Sequence, residues 1–410
     1  MMNTAKQYIA IAAILGVTST PLLGAGFQLQ ERSVSGLGRA FSGEAAIADD
    51  ATVLSSNPAG IILLDDSSYS VGLQYIKPNV DVKGTRFTAP AGTPVSDSDI
   101  AGEALVPYFY YTRKINDNVS AGVGVFSSYG LATDYSGSFA NAISTDLSEI
   151  ITVTINPSLA IRLNDQVTMG VGINVMHAEG QLTSVIPNSG GANFLDLEGD
   201  DWAVGWNIGI LYEINERTRL GIHYRSSIDL TIDGSAKFGP AEIEFDATLD
   251  VELPDSIEFS AYHELNDQWA IHADVLWTNW SKFKQLAPTT KGGPPIPVTR
   301  ENWNNAYRIA IGTTYRHNDR LTFRAGVSYD ESPVNTSDRT LRIPDGDRLW
   351  ASIGATIKLN DNYNLDIGYT HIFADDVIIK LAGAGGNEAA FAGTIGGDVD
   401  MVGIGVSGSF

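Results

Sequence analysis

The 410-residue sequence predicts an all-β fold, a fourteen-stranded antiparallel transmembrane β-barrel with an N-terminal plug, or hatch, inside its lumen. Six connections carry Asn followed by an acidic residue, and such pairs close tight hairpins because Asn and Asp tolerate left-handed backbone. Seven longer Gly-, Pro- and Ser-rich stretches alternate with them, so the connections join fourteen strands with both chain ends on the short-turn side. The pairs are Asn116-Asp117, Asn164-Asp165, Asn215-Glu216, Asn266-Asp267, Asn318-Asp319 and Asn360-Asp361, and the longer stretches lie near 80–104, 130–149, 182–199, 232–244, 282–303, 331–346 and 376–397.

Residues 1–24 have the features of a signal peptide: Lys6, an apolar run from Ile9 to Val17 and then small residues. Beyond them no run approaches the roughly 18–20 apolar residues that a membrane helix needs. The chain has no cysteine, which excludes disulfides and thiolate metal sites, and its net charge of −22 disfavours nucleic acid as a partner. Such a chain is periplasmic, extracellular or an outer-membrane barrel.

Residues 25–65 are predicted to form the plug and residues 66–410 the barrel. The first of these segments is rich in Gly, Ala and Ser and has no helical or strand period. It cannot build its own core, so it must pack inside another structure. We expect the turns at Asp49-Asp50 and Asn57-Pro58-Ala59 to hold it, because Asp and Asn bond their own backbone and the residue before proline is extended.

The predicted strands alternate between an apolar face and a polar face. In one of them, Trp269 and Trp277 lie eight residues apart, which is roughly 26 Å at 3.3 Å per residue and about the height of a barrel's apolar band. The apolar faces are therefore predicted to meet lipid, and His272 and Asp274 to face the lumen. The alternating segments are 202–212, 268–278 and 363–370. Many inward positions are glycine, and we expect the backbone room needed for strand coiling to explain most of them. These positions are Gly122, Gly124, Gly170, Gly172, Gly312 and Gly326.

The segment GFQLQERSVSGLGRAFSGEAAIADDA, followed by NPA, resembles the N-terminal plug of the FadL family of outer-membrane long-chain fatty acid transporters. Other segments resemble the family's strands and turns in the family's order, among them INDNVSAGVGVFSSYGLATDY, WAVGWNIGILYEI, AYRIAIGTTYRHND and RIPDGDRLW. The resemblance covers nearly the whole mature chain.

What the resemblance implies is a barrel of the bacterial outer membrane that imports long-chain fatty acids, with no cofactor, no metal and no catalytic residue. The ligand is captured in an apolar pocket and leaves sideways through a wall gap made by a kinked strand, under control of the plug. The implied plug and gating residues are Phe27, Asp49, Asp50, Asn57, Pro58 and Ala59, and the wall-kink residues are Gly122, Gly124, Ser127 and Ser128.

Other expected partners of the chain are outer-membrane lipid, lipopolysaccharide and the barrel-assembly machinery. The alternating last strand with its terminal Phe410 resembles the signal that this machinery reads. The protein is expected to be a monomer.

Two departures from the family pattern bear on the ligand. The loops at 182–199 and 232–244 are short, which puts the family's outer capture groove in question. Asn304 stands where a family member offers a basic residue to the ligand's carboxylate. Inward Arg308 and Arg324 are the remaining candidates for that cation, and the alternative role of each is pairing with a lumenal carboxylate.

Three alternatives to fatty acid transport remain open. The first is import of neutral hydrophobic compounds, such as aromatic hydrocarbons or alkanes, by the same route. The second is an outer-membrane hydrolase that uses inward His272 and Asp274, and the third is a structural or adhesive barrel. No phosphate loop, complete dinucleotide fingerprint or G-x-S-x-G pattern occurs, so the sequence favours a protein that is not an enzyme.

Overall fold

The computed structural model describes residues 26–86, 93–186, 189, 192–381 and 391–410. Fourteen antiparallel strands form a closed barrel, as predicted. Their bounds are β1 Ser67–Arg86, β2 Ala104–Asn116, β3 Val119–Phe126 continued by Gly130–Asp134, β4 Leu147–Arg162, β5 Val167–Val185, β6 Asn193–Asn215, β7 Thr218–Arg225 continued by Ile228–Phe238, β8 Ile243–Leu253 continued by Ser256–Glu264, β9 Trp269–Thr278, β10 Ala306–Asn318, β11 Leu321–Asp330, β12 Arg348–Lys358, β13 Tyr363–Ala374 and β14 Phe391–Ser409. Short strands lie in the loops at Thr93–Asp97, Gln285–Leu286, Thr289–Thr290, Thr299–Arg300 and Val377–Leu381.

The barrel closes between its first and last strands. β1 pairs with β14 along its whole length, from Ser68 opposite Ser409 to Arg86 opposite Phe391. A closed ladder leaves no sheet edge for lipid to meet, which is the condition for strands to cross a bilayer. The predicted leader falls outside the described residues, and the predicted boundaries of leader, plug and barrel stay predictions.

The short turns at one end of the barrel share a single device. In each of the six, the Asn side-chain oxygen accepts a hydrogen bond from the backbone N–H two residues later, at 2.9 Å every time. This local bond stabilises the tight turn and explains why Asn recurs at these positions.

At the opposite end, several stretches predicted as loops are largely strand. β7 and β8 extend through most of 232–244 and leave only residues 239–242 between them, and β14 already begins at Phe391. These extensions carry polar residues on their outward face, so they lack the apolar alternation that marks a lipid-facing strand. Composition alone therefore could not separate them from loops.

The predicted facing of the strands is confirmed. Trp269 and Ile271 are 41% and 46% exposed, whereas Ala270 and His272 between them are 1% and 4% exposed. Tyr363 and Tyr369 in β13 and Trp202 and Trp206 in β6 are likewise exposed on the outside, as the apolar belt of a membrane barrel requires.

Residues 26–62 lie within the barrel and are buried almost throughout. They form two four-residue helices, α1 Val34–Leu37 and α2 Val53–Ser56, and a 3₁₀-helix, Pro58–Leu63. None of the helices in the described residues is long and apolar enough to cross a membrane.

Close approach of this segment to the wall accounts for most inward glycines, so the prediction that strand coiling explains them is wrong for most. A Cβ at Gly170 would lie 2.2 Å from the Ala59 nitrogen, and one at Gly326 would lie 2.1 Å from the Arg39 carbonyl oxygen. One at Gly312 would lie 2.3 Å from the Ser42 hydroxyl. These positions must be glycine because plug backbone or side chain occupies the space of a side chain.

Candidate functional site

An aromatic cluster surrounds Phe27 at the start of the described chain. Its ring centroid lies 4.7 Å from that of Trp280, 5.4 Å from Phe283 and 5.7 Å from Trp303. Gly26 precedes it with a left-handed φ of +62°, and a Cβ there would lie 2.4 Å from the Trp303 ring. Glycine therefore lets the chain enter the cluster and point Phe27 into it.

Phe27 also lines an apolar cavity of about 60 Å³, far below the ~300–1,000 Å³ usual for small-molecule sites. A long ligand can enter only if side chains such as Phe27 move. The lining residues are Phe27, Leu131, Ser148, Glu149, Ile150, Gly180, Gln181, Leu182, Leu197, Glu198, Gly199, Ile232, Gly234, Ala247, Thr248, Leu249, Val251, Phe283, Leu286 and Ile343.

The segment that carries Phe27 is bonded to the inside of β3. The Phe27 carbonyl accepts from the Gly130 N–H and the Leu29 N–H donates to the Ser128 carbonyl, both at 2.9 Å. The Gly26 N–H donates to Asp345 Oδ2 at 3.0 Å. Movement of Phe27 is thereby coupled to the wall at this point.

β3 is interrupted there. Its ladder with β4 is regular to Phe126, opposite Thr154, and resumes at Gly130, opposite Ile151. Three residues, 127–129, thus face two. The Thr152 hydroxyl replaces a ladder partner, accepting from the Tyr129 N–H at 3.0 Å and donating to its carbonyl at 2.7 Å. Predicted kink residues Ser127 and Ser128 lie in this interruption.

Gly122 and Gly124 do not lie in the kink, and that part of the prediction is wrong. Both are in register with β2 and β4. A Cβ at Gly122 would lie 2.6 Å from Leu54 of the plug, and one at Gly124 would lie 3.1 Å from the same side chain. Gly122 is glycine because Leu54 packs against it, and Gly124 because the Tyr110 ring, 2.7 Å from the position of a Cβ, and Leu54 both do.

The interruption adjoins a gap in the wall between β2 and β3. The ladder between these strands begins at Phe109, opposite Val125. Ala104 to Tyr108 pair with β1 but with no residue of β3 in the part of the chain that the structure describes. The described wall there has no ladder of backbone hydrogen bonds between β2 and β3.

The predicted Asp49-Asp50 turn is anchored on both sides. Asp49 Oδ2 accepts from Arg324 Nη2 at 2.9 Å. The Asp49 side chain is 34% exposed, and although its partial desolvation would raise its pKa, Arg324 and Arg39 together hold that pKa well below its usual range. Asp50 accepts from the hydroxyls of Ser35 at 3.0 Å and of Ser70, in β1, at 3.1 Å.

Asn57 is the centre of the second predicted turn. Its Oδ1 accepts from the Ala59 N–H at 3.0 Å and so caps the 3₁₀-helix that Pro58 begins. Its Nδ2 donates to the Ala45 carbonyl at 2.7 Å and to the Ile210 carbonyl of β6 at 3.1 Å. One amide therefore joins two parts of the plug to the wall.

The structure does not bring the three predicted ligand-binding residues to the cavity. Arg308 is 2% exposed; it donates to the Ala40 carbonyl, and its Nη1 lies 3.9 Å from Asp274 Oδ1. Arg324 is held by Asp49, as described above. Asn304 is exposed and donates to Asn335 Oδ1 at 2.7 Å.

These contacts favour the alternative role of Arg308 and Arg324, which is pairing inside the barrel, while binding of the ligand by Arg308, Arg324 and Asn304 stays a prediction. Ala40 and Phe41 have left-handed φ values of 53° and 52°, a conformation that costs roughly 1–2 kcal/mol per residue. Arg308 binds the carbonyl within that turn. The two arginines therefore hold the plug, because Arg308 interacts with the Ala40 carbonyl and Arg324 with Asp49.

An outer groove of about 750 Å³ lies among the loops at the far end, although the short loops at 182–199 and 232–244 had put such a groove in question. Its apolar residues include Phe194, Ile296 and Leu381. Its lining residues are Ile143, Ser144, Leu182, Ser184, Phe194, Leu195, Leu197, Gln285, Leu286, Pro288, Ile296, Pro297, Val298, Thr299, Arg300, Ser337, Asp338, Arg339, Thr340, Arg342, Lys380 and Leu381.

Sequence reasoning missed the basic residues of this groove. Arg300, Arg339 and Lys380 come from three different loops, and Arg300 and Lys380 are exposed. The sequence did hold a sign of them: the chain has 48 acidic but only 26 basic residues, so basic residues in these long loops stand out. A groove that combines apolar with cationic residues suits an amphipathic anion.

Comparison with known proteins begins with a family model described as "Outer membrane protein transport protein (OMPP1/FadL/TodX)", which matches residues 15–410. The long-chain fatty acid transport protein of Escherichia coli K12 is 35% identical over 419 residues, covering 90% of this chain and 93% of that protein. Outer membrane protein P1 of Haemophilus influenzae Rd is 31% identical over 412 residues, covering 89% of each.

Solved structures agree on the fold. A FadL homologue from Pseudomonas aeruginosa superposes with a TM-score of 0.85 at 20% identity, covering 94% of this chain and all of that one. The Pseudomonas putida toluene transporter TodX gives 0.70 at 17% identity, with 95% and 99% covered.

Proposed function

Because the chain belongs to the OMPP1/FadL/TodX family of outer-membrane transport proteins, we propose that it imports long-chain fatty acids across the outer membrane. The main observation behind this proposal is the apolar cavity lined by Phe27, because the segment that carries Phe27 is hydrogen-bonded to the interruption of β3. The relatives with the name long-chain fatty acid transport protein support this ligand.

The route begins in the outer groove. Arg300, Arg339 and Lys380 attract the carboxylate while the alkyl chain lies on Phe194 and its neighbours. Sixteen methylenes buried at about 0.8 kcal/mol each contribute near 13 kcal/mol before the cost of ordering the ligand. The alkyl chain therefore dominates affinity, and the cations fix orientation.

Passage to the cavity requires Phe27 to move. Since Phe27 and Leu29 are bonded to Gly130 and Ser128, that movement releases the inner side of the β3 interruption. The ligand then leaves between β2 and β3, where the backbone ladder is missing. An alkyl chain gains nothing from the polar lumen below, whereas the bilayer lies directly beside this gap.

Neutral hydrophobic compounds are the second candidate ligands. Among the described residues that line the cavity, Glu149 and Glu198 are acidic and none is Lys or Arg. A carboxylate desolvated there without a partner would be costly. Toluene transporters share the fold of this chain.

We propose no catalytic role for His272 and Asp274. His272 Nδ1 lies 2.6 Å from the Ser42 hydroxyl of the plug. Asp274 accepts from the Ser260 hydroxyl, which in turn accepts from the Ala45 N–H at 2.9 Å. Both side chains are buried and hold the plug against β8 and β9. Binding of lipopolysaccharide, recognition by barrel-assembly machinery and a monomeric state stay predictions.

Uptake of labelled oleate by cells that lack their own transporter tests the proposal. We expect the chain to restore uptake and Ala247→Phe, which fills the cavity, to lower it roughly ten-fold. Ala325→Phe, on the outer face of β11, is the matched control and should leave uptake unchanged. Restored uptake that Ala247→Phe does not lower would contradict the route through the cavity.

A further inference from the structure

One wall of the apolar cavity is a two-stranded hairpin made of the upper parts of β7 and β8. Ile228–Phe238 and Ile243–Leu253 pair with each other without interruption. We refer to residues 228–253 as the cavity hairpin. Its buried inner face consists of Ile228, Leu230, Ile232, Leu249, Val251 and Leu253.

Both strands of the cavity hairpin are interrupted at its base. Ser226-Ser227 separates it from lower β7, and Pro254-Asp255 separates it from lower β8. The two interruptions face each other, because Arg225 pairs with Ser256 just below them and Ile228 pairs with Leu253 just above. Proline donates no ladder bond, so this level has the character of a hinge.

The cavity hairpin is poorly joined to β6 near its base. The ladder between β6 and β7 stops at Asn207, opposite Arg225, and resumes at Asp200, opposite Asp233. No register pair joins the described residues 201–206 to 226–232. At the lower end of this interval the Ser226 N–H donates to the Trp206 carbonyl and the Trp206 N–H donates to the Ser226 hydroxyl, both at 2.9 Å. Above them a side chain takes the place of a carbonyl, since the Thr231 N–H donates to Asp201 Oδ2 at 2.7 Å.

The ladder at its other border is shorter. There Ala247 pairs with Thr290 and Thr248 with Thr289, in the loop that follows β9, and the Lys291 N–H donates to the Asp246 carbonyl at 2.9 Å. Closer to the hinge, Lys282 Nζ lies 2.9 Å from Glu252 Oε1. Few backbone hydrogen bonds therefore hold the hairpin near its hinge, whereas its upper part is joined to β6 by the ladder from Asp233 to Phe238.

Outward residues show where the unpaired interval lies relative to the membrane. Below and beside it are Trp202, Trp206 and Tyr224, the aromatic residues of a membrane interface. On the hairpin itself, Asp229 and Asp233 face outward and are exposed. The interval is therefore at the level of the lipid headgroups.

We propose that the unpaired interval between β6 and the cavity hairpin is a side entrance through which neutral hydrophobic compounds pass from the outer leaflet into the apolar cavity. The inference rests on the proposed function of that cavity. The inner face of the hairpin is apolar, whereas its border carries Asp200, Asp201, Asp229 and Asp233. These carboxylates repel an anionic headgroup, so fatty acid anions enter by the cationic outer groove and uncharged molecules by the side entrance.

The test is a reversible disulfide tether. Because the chain has no native cysteine, the two introduced cysteines can pair only with each other. Glu198 and Ser235 face each other across the upper part of this border, and facing residues of an antiparallel pair have Cα atoms roughly 4.5–5.5 Å apart, within disulfide range. Glu198→Cys with Ser235→Cys fastens the hairpin to β6. Ser235→Cys with Asp246→Cys is the matched control, because it links the hairpin's own two strands.

Uptake of methyl oleate and of oleate is measured for both double variants, oxidised and reduced. We expect the oxidised tether to slow methyl oleate roughly ten-fold and oleate less than two-fold, with recovery on reduction and no effect in the control. A second tether, Asp196→Cys with Lys237→Cys, repeats the test should the first fail to fold. Unchanged methyl oleate uptake, equal slowing of both ligands, or equal slowing by the control would each overturn the side entrance. Failure of the parent chain to take up oleate contradicts the proposed fatty acid import alone, because methyl oleate tests the side entrance separately.

Discussion

At the scale of single residues, the plug is held by polar side chains that each serve more than one partner. Asn57 is the clearest case, because its amide bonds Ala59, Ala45 and the Ile210 carbonyl of β6. Such multiple contacts fix position more than they add stability, since a net hydrogen bond contributes about 0.5–1.5 kcal/mol. Replacement of Asn57 should therefore loosen the plug without unfolding the barrel.

We expect Asn57→Ala to lower the opening free energy of residues 58–63 by roughly 1–3 kcal/mol, through loss of the cap and of two bonds to carbonyls. Hydrogen exchange in bilayers measures it, with strand amides as the internal reference. Asn318→Ala, which removes the same chemistry from a barrel turn, should leave residues 58–63 protected. Equal loosening by the two variants would show that Asn57 has no special role in the plug.

Glu31 gives the N-terminal segment a pH dependence. Burial raises its pKa from 4.5 to about 7, with backbone hydrogen bonds and Arg32 opposing the shift. A carboxyl whose pKa is raised on folding stabilises the seated segment fully below pH 4.5, and that contribution is lost as pH rises through 7.

The amides of residues 27–33 should therefore open more readily at pH 8 than at pH 5, after correction for intrinsic exchange. Glu31→Gln, which imitates the protonated carboxyl, should remove this dependence, while Glu216→Gln in a barrel turn should preserve it. A pH dependence that persists in Glu31→Gln would assign it to another group.

At the scale of elements, the interruption of β3 depends on a side chain of its neighbour. Thr152 supplies both a donor and an acceptor to Tyr129. Without it the Tyr129 N–H would be buried and unsatisfied, at a cost of about 1–3 kcal/mol. The interruption is thus stabilised by the Thr152 hydroxyl, and we expect the shape of the adjoining gap to change when that hydroxyl is removed.

We expect Thr152→Val to raise exchange at the Tyr129 and Gly130 amides roughly ten-fold or more and to change the rate of oleate uptake. Thr154→Val is the control, since that hydroxyl makes only a 3.4 Å contact with Ser128. Unchanged protection of Tyr129 in Thr152→Val would mean that the backbone alone maintains the interruption.

Elements with a local physical signature were predictable from sequence. The Asn turns and the lipid-facing alternation depend on neighbouring residues only, so the count of fourteen strands and their facing could be read directly. The predicted wall kink included Gly122 and Gly124 beside Ser127 and Ser128, because glycine signals both bending and close approach, and only the side chains packed against the two glycines distinguish these roles. The roles of Arg308 and Arg324 depended on plug carbonyls and carboxylates remote in sequence, which no local pattern reveals.

At the scale of the whole molecule, a single layer of strands separates lipid on the outside of the barrel from the plug on the inside. Along β9 the odd-numbered residues face lipid and the even-numbered residues face the plug. Ala270 packs with Ala46, Ile47 and Tyr262, so a large residue there is costly through overpacking and not through its charge.

Three substitutions at two alanines of β9 test the difference between the two faces. Ala273→Arg should cost roughly 2–4 kcal/mol near the bilayer midplane, and Ala273→Leu close to nothing, because lipid accepts an apolar side chain. Ala270→Leu should cost about 1–3 kcal/mol by displacing Ile47 and Ala46 from the wall. Urea unfolding from bilayers measures all three. Leu has the same size and no charge at both positions, so any difference in cost must come from the groups that it contacts, the plug at position 270 and lipid at position 273. Equal costs would therefore mean that the plug does not pack tightly against the wall.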